Sequence, residues 1–341
     1  LRHLRDRPAS CHSTRMLRIV VLMLCASLLS GCYYVQAAQG QWELTRKREP
    51  IDEVLAREDT SADLAARLRL VTEARQFAVD ELGLPDNDTY RSYADLQREF
   101  VVWNVFAAPE FSLEPKAWCY PIVGCVSYRG YFRKADAERQ ADRLRSQGDD
   151  VAVGGVAAYS TLGKLKDPVL NTMMNWDDTQ LVAVLFHELS HQVLYVKGDS
   201  GFNESFATAV EEFGVQRWLA AKGWEKEYAD YEGRRKLRQD MMSLVAAARE
   251  DLESIYAQRI GDEEKRRLKS DRLATLQRDV AMRLEQNGHD TSNWLAGELN
   301  NARLVPMILY EGRLEEFRDV LRECEQDLNC FYARAADLAE G

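Results

Sequence analysis

The five residues His187-Glu188-Leu189-Ser190-His191 constrain this chain more than any other stretch. They lie inside LVAVLFHELSHQVLYV, a run whose flanks (Val182, Ala183, Val184, Leu185, Phe186, Val193, Leu194) are apolar enough to be buried as a helix. Residues four apart on a helix stand one above the other on the same face. Two imidazoles so placed converge on a single tetrahedral zinc ion. Burial of such ionisable groups needs a partner, and a metal ion supplies one. Glu188 follows the first histidine and reaches the water that the ion activates without ligating the ion itself. Zinc lowers the pKa of water from about 15.7 towards 7. Glu188 then takes the proton and later delivers it to the leaving amine. The reaction class that fits is metal-assisted hydrolysis of a peptide bond.

The third ligand is expected from the next helix. Asp177 or Asp178 caps the first helix, which is read as running to about Val196, and Lys197 to Gly201 forms a tight loop. Asn203 is read as the cap of a second helix over about 204–222. At roughly 1.5 Å per residue, a helical hairpin returns Glu204 to the level of the histidines. Two His, one Glu and a water complete four-coordination with one position open, as catalysis requires. Glu204, Thr208 and Glu211 share one face, so Glu211 is the alternative, either as ligand or as acceptor for a histidine N–H. Glu212 and Asp199 also compete.

HELSH followed by Asn203-Glu204-Ser205-Phe206-Ala207-Thr208 resembles the gluzincin metallopeptidases, whose aminopeptidases carry a similar Asn-Glu-Gly-Phe-Ala segment. More closely, the chain resembles the bacterial putative aminopeptidase family of predicted periplasmic lipoproteins. The matching stretches are GQWELTRKREPID (40–52), WCYPIVGCVSYRGYF (118–132), GGVAAYSTLGKLKDPVL (154–170), FHELSHQVLYVKGDSGFNESFATAVEEFG (186–214) and LNNARLVPMILY (299–310). The resemblance implies a zinc peptidase with His187, His191 and Glu204 as ligands and Glu188 as base. One departure is that only 12 residues separate His191 from Glu204, fewer than in well-known gluzincins.

The N-terminus reads as an export signal. Arg15 and Arg18 precede an apolar run, Ile19 to Leu29, of 11 residues, too short to span a bilayer. It ends on Leu29-Ser30-Gly31-Cys32, which resembles a bacterial lipobox, so lipid on Cys32 would anchor the protein to a membrane. Residues 1–15 read as an upstream extension and Met16 as the start. Tyr33, with no Asp after Cys32, favours the outer membrane. A net charge of -10 gives a nucleic-acid role no support. Beyond Cys11, Cys25 and Cys32, four cysteines remain in two pairs six apart, and an oxidising periplasm suits disulfides Cys119–Cys125 and Cys324–Cys330.

The expected fold class is α+β, zincin-like, mostly helical with a small mixed β-sheet packed on the HExxH helix. Residues 32–49 read as a tether, 50–223 as the catalytic core, 224–290 as a charged helical arm and 291–341 as C-terminal helices packing on the core. Helices are expected over 51–57 and 62–82, and strands over 91–107, 123–132 and 151–162. Gly154 and Gly155 would let a substrate backbone approach, so Gly154, Gly155, Ala157 and Tyr159 are the substrate-binding candidates. Tyr310, Arg303, Tyr159 and His289 are candidate donors to the developing oxyanion, Tyr310 foremost. Glu211, Glu212, Asp177 and Asp178 are candidates for holding a substrate ammonium. The expectation is a zinc-dependent, lipid-anchored periplasmic peptidase acting on peptides, with one Zn2+, no nucleic acid and no known protein partner. A metalloendopeptidase and a non-catalytic zincin-fold scaffold are the alternatives.

Overall fold

The computed structural model describes residues 33–120, 124–292, 298–309 and 313–340. The stretch 1–31 expected to be an export signal, the lipidation candidate Cys32 and the oxyanion candidate Tyr310 lie outside the described residues. The chain divides into two units, residues 1–46 and 47–341.

In the first unit residues 33–46 belong to a helix, α1, which spans 33–47. The tether expected over 32–49 is therefore helical for most of its length. Its only glycine is Gly40, and no proline interrupts it before Pro50. The residue before a proline is pushed out of the α region, which sets the boundary. No described helix is long and apolar enough to cross a membrane.

The second unit is mostly helical with three small sheets. β1 (Arg48–Pro50) pairs antiparallel with β2 (Ser92–Ala94), and β2 pairs parallel with β8 (Val169–Leu170). β3 (Val102–Pro109) is the centre of a second sheet, antiparallel to β6 (Arg129–Tyr131) on one side and to β7 (Asp149–Val156) on the other. β4 (Trp118–Tyr120) and β5 (Gly124–Val126) form a hairpin bridged by the Cys119–Cys125 disulfide.

Three strand expectations were too long. The 91–107 run divides between two sheets, because Asp95 accepts the Gln97 N–H and Gln97 sits at φ 54. That local turn removes the residues between β2 and β3 from any ladder. The 123–132 run likewise divides between β5 and β6, in different sheets. The third strand stops at Val156, and the chain beyond it bends through left-handed Leu162, Gly163 and Lys166.

The helices are α2 (Ile51–Leu55), α3 (Ala62–Asp80), α4 (Lys134–Arg145), α5 (Asp178–Ser190), α6 (Ser200–Lys222), α7 (Glu225–Ala257) and α8 (Asp262–Gln286). Then follow α9 (Asn301–Leu309), α10 (Leu314–Glu323) and α11 (Leu328–Glu340), with the Cys324–Cys330 disulfide joining α10 to α11. α7 and α8 pack along one another through Val245, Ala248 and Leu252 against Leu273, Leu276 and Val280. Buried Asn301 ties this pair to the second sheet: its side-chain amide donates to the carbonyls of Pro109, Glu110 and Ser112. Asp150 on β7 joins the same junction, accepting from Asn301 N–H and from the Lys269 ammonium.

α5 is the centre of the unit. Leu181, Val182, Leu185, Phe186 and Leu189 are fully buried. The helix packs chiefly against α6 and α3. The expected sheet is thus not its main support; helices are. Phe186 stacks near Phe77 of α3, and Phe77 meets Trp218 of α6 edge-on. The far side of α6 buries Phe202 and Phe206 against Phe317 of α10 and Phe331 of α11.

Gly214 sets the spacing between α5 and α6. A Cβ there would stand 2.7 Å from Leu82 Cδ1 and 2.8 Å from Phe186 Cδ2, so any side chain must push neighbours apart. Overpacking of this kind costs about 1–3 kcal/mol. Gly214→Ala should therefore lower stability by about that amount in urea unfolding, and an unchanged midpoint would show that the helices have slack.

Candidate active site

α5 starts at Asp177, whose carboxylate accepts the Gln180 N–H. It ends at Ser190, with His191 as the C-cap residue. The expected run to Val196 is cut short, because the N–H groups of Gln192 and Val193 turn back onto Leu189 and Ser190. Such i→i+3 bonds tighten and close a helix. The Ser190 hydroxyl donates to the His187 carbonyl, holding that last turn.

The return chain starts earlier than expected. α6 begins at Ser200, capped by Asp199, whose carboxylate accepts the Phe202 N–H. Asn203, expected as the cap, does something else. Its Oδ1 accepts the Val196 N–H at 2.7 Å, and its Nδ2 donates to the Val196 carbonyl at 2.8 Å. This buried side chain clamps the connection between the two helices immediately before Glu204.

The clamp brings three donors together. Glu204 Oε2 lies 3.2 Å from His187 Nε2, and Glu204 Oε1 lies 3.9 Å from His191 Nε2. Both imidazoles are buried, their rings 5.0 Å apart and nearly perpendicular. One ligand atom from each of His187, His191 and Glu204 falls within 4.8 Å of the other two. Glu211 lies on the opposite side of the His187 ring, with Oε2 3.0 Å from Nδ1. It is placed as the acceptor that orients the ring, not beside Glu204 with the converging atoms.

Charge in this cluster is strongly coupled. Burial works against an imidazolium at His187, but hydrogen bonds to Glu204 and then Glu211 overcome it and hold its pKa well above the ordinary value. His191 is pushed down to about 4, by burial first and then by His187, with Glu204 opposing. Burial works against the Glu204 carboxylate too, yet the His187 hydrogen bond leaves its pKa lowered. Glu188 is pushed up to about 7, chiefly by burial, with His187 opposing and with Glu204 and Asp167 adding. A carboxyl with that value is poised to exchange a proton near neutral pH.

The chain belongs to the putative aminopeptidase family. The family model matches residues 32–341. No curated protein and no solved structure matches the chain. The family's description names a peptidase, and the cluster's chemistry can be tested against that. Two imidazole nitrogens and a carboxylate oxygen are the donor set of an open, three-ligand zinc site. Such ligands stand about 2.1 Å from the ion, and the 3.2–3.9 Å separations of the Nε2 and carboxylate atoms suit a shared cation. Two carboxylates flanking one buried imidazole also leave a negative excess that a divalent ion would balance. The residues therefore fit a metal.

The remaining candidates scatter. Gly154 and Gly155 lie on β7, one of the two edge strands of its sheet. A Cβ at Gly154 would meet nothing within 4 Å, whereas one at Gly155 would strike the Phe100 ring. Ala157 and Tyr159 fall beyond the strand; the Ala157 carbonyl accepts from Thr172, and the Tyr159 ring packs on Phe132. Asp177 caps α5, and Asp178 pairs with Arg67. Glu212 is held by Arg318. His289 is exposed just past α8, and Arg303 bonds to the Glu298 carbonyl. Of these, Tyr159 lies near Tyr128, which also feels the charges of Glu204 and Glu188.

Several residues at the site were not singled out from the sequence. Tyr128, between β5 and β6, has its phenol pKa pushed up by desolvation and then by Glu204, Tyr195 and Glu188. The Tyr195 ring stands edge-on to His191, 6.4 Å away, and its hydroxyl is kept protonated by burial and by Glu204. Tyr90 is fully buried at φ 61 and feels the Glu188 charge. Only Tyr195, four residues after His191, had a spacing that could have revealed it.

Orienting carboxylates of the Glu211 kind raise metal affinity by about 10–100-fold. Glu211→Ala should weaken the cluster's hold on an added divalent ion by that factor in competition with a chelator. Unaltered affinity would mean that the His187 ring needs no support. Asn203→Ala should lower stability by about 1–3 kcal/mol, because it strands the Val196 N–H and C=O; thermal unfolding of the variant checks this.

Proposed function

We propose that this protein is a zinc-dependent aminopeptidase of the bacterial periplasm, anchored through lipid on Cys32. His187, His191 and Glu204 are its zinc ligands and Glu188 its general base. One observation carries the reading: two buried imidazole Nε2 atoms and the Glu204 carboxylate face one another, with an ionisable, partly buried Glu188 on the same helical turn as His187. The zincin-like character of the fold rests on the same helix pair, α5 and α6.

Zinc, when bound, supplies a Lewis acid that polarises the substrate carbonyl and acidifies water. The other roles belong to the chain. Glu188 takes a proton from the attacking water and passes it to the leaving amine. Glu211 holds the His187 ring through Nδ1. Tyr128 and Tyr195 keep their protons, so either hydroxyl can donate to a developing oxyanion. The β7 edge at Gly154, open to an approaching backbone, supports binding of the peptide by strand addition. The export signal, the Ser30-Gly31-Cys32 ending and the cysteine pairs support the periplasmic, lipid-anchored setting.

Glu188→Gln removes the proton carrier and keeps the ligands. Hydrolysis of aminoacyl-amide reporters should fall by about 10²–10⁴-fold, with zinc content equal to that of the parent. Loss of zinc along with activity would assign Glu188 a structural role. Zinc retained with no hydrolysis by the parent protein would favour the scaffold.

A further inference from the structure

A cavity of about 350 Å³ opens between α6, α7 and α10. Its lining is unusually cationic for a protein of net charge -10. Four guanidiniums (Arg235, Arg238, Arg249 and Arg318) face two carboxylates, Glu212 and Glu315. Arg318 clamps Glu212 at 2.9 and 2.6 Å and also pairs with Glu315, while Arg235 approaches Glu212 at 4.0 Å. Arg235 and Arg249 are steadied by Glu232 and Glu253, which do not line the cavity. An arginine carries five donors in a rigid fork, so one carboxylate partner does not exhaust it.

Two observations connect this cavity to the zinc ligands. Thr208 lines it, is 4% exposed, and has a buried hydroxyl with no hydrogen-bond partner among the described residues. Buried hydroxyls are almost always partnered, so an orphan calls for an explanation such as a ligand. Thr208 also lies one turn along α6 from Glu204, about 6 Å at the helical rise, and the charge of Arg238 reaches Glu204.

We infer that this cavity is a subsite for a substrate carboxylate on the leaving side of the scissile bond, an inference that rests on the peptidase reading above. Thr208 supplies a hydroxyl donor, and Arg238 and Arg249 supply the charge. An extended peptide advances about 3.5 Å per residue. Thr208, displaced from Glu204 by one helical turn, is then at the level of a group one or two residues beyond the bond. The substrate class is short peptides, dipeptides or tripeptides, in which a carboxylate follows closely on the cleaved bond. The carboxylate can come from the C-terminus or from an acidic side chain, and the two sources are separable.

The test compares Ala-Ala with Ala-Ala-amide, and Ala-Asp-amide with Ala-Asn-amide. Each is measured as kcat/KM on the zinc-loaded parent and as calorimetric affinity for the Glu188→Gln protein. The free acid should exceed the amide by about tenfold or more, the scale of a charge-assisted contact, in both measurements. A preference for Ala-Asp-amide over Ala-Asn-amide instead would assign the carboxylate to a side chain. Arg238→Gln should shrink the preference several-fold through KM, and Arg249→Gln should do so if the first variant does not fold. Equal treatment of acid and amide in both measurements, or a preference untouched by the folded variants, overturns the inference. Should the parent hydrolyse nothing while Glu188→Gln still binds the free acid selectively, the subsite stands and the peptidase reading falls.

Discussion

The contact on which this structure depends is the Glu204 carboxylate set against two buried imidazoles. Neither helix alone can make it. α5 presents His187 and His191 one turn apart, and α6 must return at a fixed height and depth to meet them. Height is set by the Asn203 clamp on Val196 and by the Asp199 cap, which together define where α6 begins. Depth is set by Gly214, where the absent side chain lets α6 lie against Phe186. The aromatic packing behind α6, from Phe206 to Phe317 and Phe331, holds the helix from its other side.

Burial gives the cluster its chemistry. In water an Asp or Glu stays ionised, and an isolated histidine titrates near pH 6.5. Here the groups are desolvated together, and each one's charge state depends on its neighbours. Glu204 and Glu211 both point at His187, one at each ring nitrogen, so the ring is held in one orientation by acceptors on opposite sides. Glu188 has its charged form disfavoured, chiefly by burial and further by the nearby Glu204 and Asp167 charges. Two neighbouring carboxylates, Glu204 on α6 and Glu188 on α5, thus have opposite tendencies, one kept ionised and one brought near neutrality. Such division of labour between neighbouring acids is a common basis of proton-transfer catalysis.

Much of the active helix was readable from residue order. The 3.6-residue period is local and placed both histidines on one face without knowledge of any partner. The cysteine pairs were readable for a similar reason, since six residues is a short loop to close. The strand boundaries were not. β2, β3, β5 and β6 are three to eight residues long. Apolar runs such as 91–107 are cut by single turns at Asp95–Gln97 that composition does not announce. The N-terminal stretch 33–47, read as a tether, is helical, and its helicity was not anticipated because the segment carries no clear apolar period.

Residue order by itself determined the pairing of His187 with His191, the adjacent Glu188, and the membership of Glu204 among a few acids that could answer them. Helical geometry is a property of neighbours along the chain, and it needed nothing more. Tertiary structure set Glu204 against both rings, put Glu211 at the far nitrogen of His187, and brought Tyr128 and Tyr195 beside the cluster. It also gathered the arginines of α7 and α10 around Thr208. Those placements depend on contacts between residues tens to more than a hundred positions apart, where helix packing distances and buried side-chain volume, not local periodicity, set the geometry.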